Sequence, residues 1–540
     1  MVEVMECDYA VVGAGSAGCV VADRLSSDGS KVTLLEAGPS DWHPMIHIPA
    51  GILHLLHNPR VNWMYASEPD SGTNGRAIDW PRGKVLGGSS SINGMLFIRG
   101  NAADFDRWAQ MGCAGWSYAD CLPYFMSMES YQPGDDTYRG KDGPLRIEDY
   151  RTILPLTHRF VEAAQQAGFE LARDLNNARH VGVGYSQMTR NGRFRGSTAR
   201  TFLAQARKRP NLRVETNALA SRLLFDGKRC TGLEFKRDGR LHRLKAVREV
   251  IVSGGSINSP QLLQISGIGP AEHLRSIGVE VVHDLPGVGE NLSDHYAVRV
   301  SCRIRDAVTV NQYARGLRRA VEAAKWLTRG DGALTFGVTT AQVFCFSREG
   351  LVSPDIQLLF SPASYSTKAS ELGTLEKLPG ATVAANIAQP QSRGTILART
   401  GNPEDRPVIR PNYLSAPGDG DVLLKGIAQA RRVLKAPAMA RHVVCETAPG
   451  DKLRSDDELL SFARANGTTL HHPVGTCKMG IDPAAVVAPD LRVRGLDRLR
   501  VIDASIMPAI TSANTNAATI MIAEKGAALI RESGSARSFT

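Results

Sequence analysis

The chain has 540 residues, of which 43% are hydrophobic and 22% charged, and its formal net charge is +10. This composition is typical of a globular protein and excludes a largely disordered chain, and the length predicts two closely packed domains. No apolar stretch reaches the roughly 20 residues of a membrane-spanning helix, which argues against an integral membrane protein. The basic residues are dispersed and lack interleaved aromatic side chains, which argues against nucleic-acid binding.

The nine cysteines are scattered along the chain, without a CxxC pair or the spacing of a metal site. An odd and dispersed set of this kind indicates reduced thiols and predicts no bound metal. The first predicted strand follows almost directly after the N-terminus, so we expect no targeting segment. These features predict a cytoplasmic protein. The surplus of positive charge leaves a peripheral contact with the inner face of a membrane open.

The first predicted elements are a strand, a glycine-rich turn, a helix and a second strand. An apolar run at 9–12 leads into the pattern Gly-x-Gly-x-x-Gly at 13–18, and an Ala/Val/Leu-rich segment of helical length follows. The second strand, at 32–35, ends on Glu36. This order and spacing are typical of a dinucleotide-binding unit, which we therefore predict here.

Each residue of this unit has a physical role in binding a dinucleotide. Gly13 allows the tight turn, Gly15 lets the backbone approach a pyrophosphate, and Gly18 lets the helix lie close to the strand. The N–H groups at the helix N-terminus attract the phosphates. Glu36 is placed to accept hydrogen bonds from the ribose hydroxyls, and its charge would repel the 2′-phosphate of NADP. The candidate cofactor contacts are Gly13, Gly15, Ser16, Ala17, Gly18 and Glu36.

The middle of the chain predicts further elements of two sheets. Residues 156–168 have helical periodicity, and the segment at 212–252 alternates like a β-meander that returns to the first sheet. Strand-like runs at 342–346 and 356–360 indicate a separate sheet.

The end of the chain contains a strand at 499–502 and a closing helix at 517–530, which we assign to the first sheet. The predicted fold class is therefore α/β (α+β), with a discontinuous Rossmann-like cofactor-binding domain and a sheet-based substrate-binding domain. We assign 1–155, 205–300 and 462–540 to the cofactor-binding domain, and 156–204 and 301–461 to the substrate-binding domain.

Several glycine-rich and histidine-containing segments carry a family resemblance. They are Gly83-Lys-Val-Leu-Gly-Gly-Ser-Ser-Ser-Ile-Asn93, the segment from Gly255 to Gly269, His471-His-Pro-Val-Gly-Thr-Cys-Lys-Met-Gly480, Val501-Ile-Asp-Ala-Ser505 and Asn514-Thr-Asn516. Together they resemble the signature motifs of the glucose-methanol-choline (GMC) oxidoreductases, in the same order over essentially the whole chain. The resemblance is strongest to the choline-dehydrogenase-like alcohol dehydrogenases.

The resemblance implies a bound FAD, whose nucleotide part would lie on the glycine turn and Glu36. By the family pattern, Gly88 and Asn93 lie along the isoalloxazine, and Asp503 lies near the ribityl-pyrophosphate region. Asn516 opens the last helix, so the N-terminus of that helix is expected to face the flavin C2 carbonyl and N1, where it would stabilise the charge of the reduced flavin.

The same resemblance implies a catalytic pair. Oxidising an alcohol requires a base for the hydroxyl proton, while the hydride goes to flavin N5, and such a base is typically worth ~10²–10⁴ in rate. His472 matches the family's active-site histidine and is predicted to be the base or alkoxide stabiliser. Asn516 is predicted to orient the substrate oxygen through a hydrogen bond. His471 is expected to act through its neighbours rather than on the substrate.

Two departures from the family pattern narrow the prediction. Ile92 occupies the place where some members tether flavin through a histidine, so the FAD should be bound non-covalently. Gln342 falls where choline-specific members carry a glutamate that faces the trimethylammonium group, in an alignment set by Phe346. Loss of that charge removes the attraction for a quaternary cation and favours a neutral aliphatic, aryl or polyether alcohol.

Three alternatives stay open at this point. An FAD-dependent dehydrogenase that passes electrons to a quinone or a protein acceptor is the leading hypothesis. An oxidase that reduces O₂ differs by features near the flavin that the sequence does not reveal. Some proteins of this fold are lyases that never cycle the flavin, and a non-catalytic flavin-binding protein is the remaining reading. The oligomeric state is open as well.

Overall fold

The computed structural model describes residues 4–177, 179–366 and 373–537, with side chains as far as residue 533. The strands of this part are β1 (Val4–Val12), β2 (Val32–Leu35), β3 (Tyr65–Ala66), β4 (Asp79–Trp80), β5 (Leu96–Phe97), β6 (Glu129–Ser130), β7 (Leu145–Asp149), β8 (Gly182–Tyr185), β9 (Gln187–Asn191), β10 (Phe194–Arg195), β11 (Leu212–Glu215), β12 (Leu219–Asp226), β13 (Arg229–Arg237), β14 (Arg240–Val252), β15 (Ile268–Gly269), β16 (His283–Asp284), β17 (Tyr296–Ile304), β18 (Ala341–Cys345), β19 (Ile356–Ser361), β20 (Gly380–Ile387), β21 (Thr395–Leu397), β22 (Val408–Arg410), β23 (Val443–Ala448), β24 (Thr468–Thr469) and β25 (Leu499–Val501).

The α-helices of the same part are α1 (Gly18–Ser26), α2 (Pro44–His47), α3 (Ile52–Leu55), α4 (Ala102–Gln110), α5 (Tyr118–Met128), α6 (Pro155–Gln166), α7 (Ala204–Ala206), α8 (Gly255–Ile265), α9 (Ala271–Ser276), α10 (Val310–Tyr313), α11 (Gly316–Arg329), α12 (Pro417–Lys435), α13 (Pro437–Ala440), α14 (Asp456–Asn466) and α15 (Asn516–Arg537).

One sheet carries the predicted dinucleotide-binding unit. Its strand order is β11-β2-β1-β14-β13-β12, and β25 pairs with β14. The pairs β1–β2, β1–β14, β2–β11 and β14–β25 are parallel, while β12, β13 and β14 form an antiparallel meander. Every residue of β2 is buried, as expected of a strand covered on both faces. Because its strands come from the start, middle and end of the chain, the sheet confirms the predicted α/β class with a discontinuous Rossmann-like unit.

A second sheet is antiparallel and packs against helices. Its order is β23-β17-β20-β19-β18-β8, with β24 beside β17. Alternate residues of β17, β19 and β20 pack with α12 and α6 into a hydrophobic core of their own. This sheet includes β17 and β24, which begin before position 300 and after position 462. The second sheet therefore crosses both predicted domain boundaries, and the boundaries stay a prediction.

Candidate active site

A cavity of about 420 Å³ is lined by residues of both sheets. It brings together segments that lie hundreds of residues apart in sequence, and it contains all but one of the predicted site residues. The lining includes Gly13, Gly15, Ser16, Ala17, Glu36, Gly88, Asn93, His472, Asp503 and Asn516. Gly18 does not line it but lies directly below the turn, at the start of α1.

The glycine turn has the shape that a dinucleotide requires. Gly13 has φ +95°, and a Cβ there would lie 2.5 Å from the carbonyl oxygen of Ser253. A Cβ on Gly18 would lie 1.8 Å from the Gly13 carbonyl oxygen, so only glycine lets α1 approach the turn. At Gly15, by contrast, the nearest atom would be 3.9 Å away, so this position is open towards the cavity. The turn therefore fits the close approach of a pyrophosphate to its backbone.

Glu36 is held in place by the backbone around it. Its two carboxylate oxygens accept hydrogen bonds from the backbone N–H groups of Ala14, at 3.0 Å, and Gly38, at 2.9 Å. Burial raises the pKa of Glu36 to about 7, and the two N–H groups oppose that rise. Glu36 directly follows β2 and lies beside the glycine turn, where a carboxylate can accept hydrogen bonds from the ribose hydroxyls.

The glycine-rich segment at 83–93 also lines the cavity. Gly88, with φ +51°, packs against Gly15, because a Cβ there would lie 2.7 Å from the Gly15 Cα. The Asn93 Oδ1 accepts hydrogen bonds from the Met95 N–H and from Arg195 Nη1, at 2.9 and 2.8 Å. These contacts fix the backbone along which the family places the flavin ring.

Asp503 forms hydrogen bonds with the glycine-rich segment that begins at Gly255. One of its carboxylate oxygens accepts hydrogen bonds from the backbone N–H of Gly255, at 2.8 Å, and from the Ser259 hydroxyl, at 2.5 Å. The other accepts a bond from the Ser505 N–H at 2.8 Å. In this structure the carboxylate of Asp503 is therefore engaged by the protein, and its contact with a cofactor stays a prediction.

His472 is bonded on both ring nitrogens. Its Nδ1 lies 2.9 Å from Nδ1 of His295, and the His295 Nε2 lies 3.0 Å from the Ala388 carbonyl oxygen. Since a carbonyl can only accept, His295 donates from Nε2 and its Nδ1 carries the lone pair. His472 must then donate from Nδ1, which leaves its Nε2 unprotonated. The network thus selects the tautomer of His472 that a base requires.

The unprotonated nitrogen of His472 faces Asn514. The Asn514 Nδ2 lies 3.0 Å from His472 Nε2, and the Asn514 oxygen accepts a hydrogen bond from Gln357 at 3.3 Å. Asn516 also lines the cavity, and its oxygen accepts a hydrogen bond from the Ser16 hydroxyl at 2.7 Å. Because α15 begins at Asn516, this side chain meets the glycine turn, while Asn514 precedes the helix and meets the histidine. The predicted role of Asn516 in orienting the substrate oxygen stays a prediction.

The buried carboxylate of Asp294 forms hydrogen bonds with the segment that contains His472. The Asp294 carboxylate accepts a hydrogen bond from the His472 N–H at 2.8 Å. It also accepts bonds from the hydroxyls of Tyr413 and Thr469, both at 2.5 Å. Burial raises the pKa of Asp294, and these bonds oppose that rise. Hydrogen bonds therefore hold the backbone of His472 as well as its ring.

His471 lies beside this site in a left-handed backbone conformation, with φ +66°. Its carbonyl oxygen accepts a hydrogen bond from Arg82 at 2.7 Å, and its ring lines the cavity with a buried Nδ1 that has no partner in the described part of the chain. The predicted indirect role of His471 therefore stays a prediction.

The histidines of the site are neutral. Burial lowers the pKa of His295 to about 4 and that of His471 to about 3. It also holds the pKa of His472 well below the usual value, and the proximity of His295, His471 and Arg82 lowers this pKa further. At neutral pH the site therefore presents an unprotonated imidazole nitrogen, Nε2 of His472, which accepts a hydrogen bond from Asn514 and can accept a proton.

The two departures from the family pattern both lie in the interior of the protein. Ile92 lines the cavity and is buried in a small apolar cluster, and it offers no nucleophile for a covalent bond. Gln342 is buried, accepts a hydrogen bond from Gln357 at 2.9 Å, and is absent from the cavity wall. Hydrogen bonds therefore connect Gln342 to His472 through Gln357 and Asn514.

Several residues that build this site were not predicted from the sequence, namely Asp294, His295, Gln357 and Asn514. Asp294 and His295 follow Asn291-Leu-Ser, a segment without the glycines or the histidine-proline pair that mark the other site segments. Asn514 lies in the motif Asn514-Thr-Asn516, and the signal that separates it from Asn516 is the start of α15.

In the described part of the chain, no group of three or more His, Cys, Asp or Glu side chains is arranged to hold a metal ion. Within the same ranges, no helix combines the length and apolar character needed to cross a bilayer.

Comparison with known proteins agrees with this geometry. The sequence models described as GMC oxidoreductase match residues 7–297 and 390–523. The mitochondrial choline dehydrogenase of Homo sapiens is 43% identical over 544 residues, covering 97% of this chain and 90% of the human protein. The alcohol dehydrogenase [acceptor] of Pseudomonas putida is 41% identical over 531 residues, covering 97% of this chain and 95% of its own length.

Solved structures show the same architecture. Pyridoxine 4-oxidase from Mesorbium loti superposes with a TM-score of 0.88 at 30% identity, over 97% of this chain and 98% of that one. Formate oxidase from Aspergillus oryzae superposes with a TM-score of 0.91 at 25% identity, over 98% of each chain. The chain therefore belongs to the GMC oxidoreductase family, and FAD is its expected cofactor.

Proposed function

We propose that this protein is an FAD-dependent dehydrogenase that oxidises a primary alcohol to the aldehyde. The observation that carries the proposal is the chain from the Ala388 carbonyl through His295 and His472 to Asn514, inside a cavity that begins at a dinucleotide-binding turn. FAD, when bound, supplies the acceptor for the hydride that leaves the alcohol carbon. Gly13–Gly18, Glu36, Gly88 and Asn93 would hold it, without a covalent bond because of Ile92.

The residues of the site manage the hydroxyl proton. His472 Nε2 accepts it, and His295 accepts the N–H on the opposite side of the same ring, so the positive charge that forms is shared with a buried acceptor. Asn514, whose nitrogen now faces Nε2, donates a hydrogen bond to the substrate oxygen as that oxygen loses its proton. Asp294 keeps the histidine backbone from moving during this transfer. Proton loss and hydride loss together convert the alcohol into an aldehyde.

The visible spectrum of the FAD-loaded protein tests this proposal. Primary aliphatic and aryl alcohols and choline would be added anaerobically, and we expect a primary alcohol to bleach the oxidised-flavin band. Bleaching by choline would contradict the argument from Gln342. If none of the alcohols bleaches the band, the lyase or non-catalytic reading takes its place. Reoxidation of the bleached enzyme by a soluble quinone, compared with O₂, separates a dehydrogenase from an oxidase.

For the acceptor we propose a quinone at a membrane surface, since α11 has an unusual distribution of side chains. Glu322 is buried, and the Trp326 Nε1 donates a hydrogen bond to the Arg193 carbonyl at 3.0 Å, so this side of the helix contacts the protein. The other side is apolar but faces solvent, and we call it the α11 apolar face. Its large residues are Leu317, Val321 and Leu327, which are 86%, 50% and 62% exposed.

The charge around this face fits an anionic bilayer. Arg315, Arg318, Arg319 and Arg329 are all exposed on or beside α11. A helix with an exposed apolar side and flanking arginines is typical of segments that lie in the interface of anionic membranes. We therefore propose a cytoplasmic protein that docks on the inner face of the membrane through α11.

Co-sedimentation with lipid vesicles tests the docking. We expect binding to phosphatidylglycerol vesicles, little binding to phosphatidylcholine vesicles, and loss of binding in a Leu317→Ser/Leu327→Ser variant. Val352→Ser is the matched control, since Val352 is 84% exposed and lies outside α11. Equal loss in both variants, or no binding of the unaltered protein, would contradict a specific membrane face.

A further inference from the structure

The wall of the cavity opposite the glycine turn is one face of the second sheet. Four residues lie in register across it, because Gln342 pairs with Leu359, Leu359 with Ala384, and Ala384 with Arg299. Residues paired directly across antiparallel strands share a face. Leu359, Ala384 and Arg299 line the cavity, while Gln342 at the end of the row does not. The row thus places one cation, Arg299, in the wall of the cavity.

Among the described residues, Arg299 makes neither an ion pair nor a hydrogen bond, and its guanidinium carbon lies 5.6 Å from the centre of the Tyr365 ring. Two other interior arginines are paired by comparison, Arg139 with Glu129 at 2.7 Å and Arg500 with Glu249 at 2.6 Å. Burial lowers the pKa of Arg299, because removal from water disfavours its charged form.

Among the residues that the structure describes, no acid in this part of the cavity pairs with Arg299. Within the described ranges, the carboxylates in the cavity wall are those of Glu36 and Asp503. Both already accept hydrogen bonds from backbone N–H groups in the glycine-rich segments. The proximity of Arg299 also helps to lower the pKa of His471, so the guanidinium and the histidine segment interact across the cavity.

We propose that Arg299 binds a carboxylate of the substrate, so that the preferred alcohol is a hydroxy acid with its hydroxyl and carboxylate at separate ends. This inference rests on the proposed function, because His472 would act on the hydroxyl end. A guanidinium offers a planar pair of donors that matches a carboxylate, and a partly buried cation without a partner gains from such a contact. The same charge repels a quaternary ammonium group.

The surroundings of Arg299 favour a singly charged anion. Ser361 and Thr382 line the same face of the sheet, on the row next to Arg299, but their hydroxyls already bond the Val338 carbonyl and the Ser301 hydroxyl. Arg82, the other cavity arginine, is already engaged by the carbonyl oxygens of Pro81 and His471. A single unengaged guanidinium matches a singly charged carboxylate better than a doubly charged phosphate ester. This inference revises the expectation of a neutral alcohol.

Binding of unreactive ligands to the FAD-loaded protein tests the subsite without turnover. Hexanoate and its neutral isostere hexanamide would be titrated, with binding followed by calorimetry and by the change in the flavin spectrum. We expect hexanoate to bind at least about tenfold more tightly, a difference of about 1.4 kcal/mol. Equal affinity for the acid and the amide overturns the proposal. Tighter binding of monohexyl phosphate than of hexanoate overturns the assignment to a carboxylate.

Variants of two arginines on β17 locate the effect. Arg299→Gln should remove the preference for hexanoate, and Arg299→Lys should keep part of it, since the charge stays but the planar pair of donors is lost. Arg303→Gln is the matched control, because Arg303 lies on the same strand, pairs with Glu376 at 3.2 Å, and does not line the cavity. An unchanged preference in Arg299→Gln, or an equal loss in Arg303→Gln, contradicts the proposal.

Turnover separates this inference from the proposed function. We expect 6-hydroxyhexanoate to bleach the flavin with a lower KM than 1-hexanol, and the difference to disappear in Arg299→Gln. If hexanoate binds through Arg299 but no alcohol bleaches the flavin, the carboxylate subsite stands and the dehydrogenase proposal fails. If alcohols bleach the flavin but hexanoate and hexanamide bind equally, the dehydrogenase stands and the subsite fails.

Discussion

The two parts of the cavity wall are built in different ways. The nucleotide part is made mainly of backbone: Gly13 and Gly18, where a Cβ would clash with the main chain, the open position Gly15, and an acid held by two N–H groups of the same local unit. The substrate part is made of side chains from separate strands and loops, brought together by strand register and a hydrogen-bonded chain. This contrast implies that the first part tolerates few substitutions, whereas the second can change its substrate through single side chains.

The largest effect is expected in the nucleotide part. Gly18→Ala places a Cβ 1.8 Å from the Gly13 carbonyl oxygen, and we expect it to destabilise the protein by about 3 kcal/mol and to lose FAD. Gly15→Ala meets nothing within 3.9 Å, so thermal unfolding of the FAD-free protein should stay unchanged while FAD affinity falls at least about tenfold. Equal unfolding temperatures for the two variants would show that the turn is not packed as described.

Removal of the base is the largest expected effect in the substrate part. His472→Ala should lower kcat by ~10²–10⁴ without loss of FAD, because the proton acceptor disappears while the nucleotide part stays intact. His158→Ala, at an exposed histidine that bonds Tyr185, is the control and should leave kcat unchanged. Stopped-flow reduction of the flavin measures both, and full activity of His472→Ala would refute the mechanism.

The two asparagines at the start of α15 should divide their effects between the two parts. Asn514→Ala removes a donor next to the reacting oxygen, and we expect kcat to fall by about 10²-fold with FAD retained. Asn516→Ala removes the acceptor of the Ser16 hydroxyl, so it should weaken FAD binding and leave kcat of the loaded enzyme nearly unchanged. The reverse pattern would support the predicted role of Asn516 in orienting the substrate oxygen.

His295 should have a smaller effect, through the orientation and tautomer of His472. His295→Ala leaves the Nδ1–H of His472 without its acceptor, and outer partners of functional histidines are typically worth about 10–100-fold. We expect kcat to fall within that range and KM to change little. A merely structural role would lower the unfolding temperature and the FAD content but leave kcat of the loaded enzyme unchanged.

The smallest effect is a shift in the pH profile. A base is active above its pKa, and burial holds the pKa of His472 below that of a free histidine, which is about 6.5. The acid limb of the kcat/KM profile should therefore lie at a pH below that value. In His295→Ala the limb should move to higher pH, because a ring that helps to lower the pKa of His472 is gone. An acid limb at or above the value of free histidine would contradict the neutral network.

The sequence alone determined the nucleotide part of this protein. Its function depends on the backbone of one short segment, so Gly13, Gly15, Gly18 and Glu36 could be identified from their spacing. The same holds for β2, which was predicted and is observed at Val32–Leu35. An apolar run bounded by turns indicates a strand from local sequence alone. His472 was predicted from a family resemblance whose motif is contiguous, and its role as the base stays a prediction.

Only the tertiary structure decided the substrate part. Asn514 and Asn516 are two residues apart, and the start of α15 alone determines which of them meets His472. The tautomer of His472 depends on His295 and Ala388, which lie far away in sequence. In the sequence, nothing separates Arg299 from other strand residues. Strand pairing places it in the cavity wall, where it has no counter-ion among the described residues. Charge, register and hydrogen-bond direction are properties of neighbours in space, so no local pattern in the sequence records them.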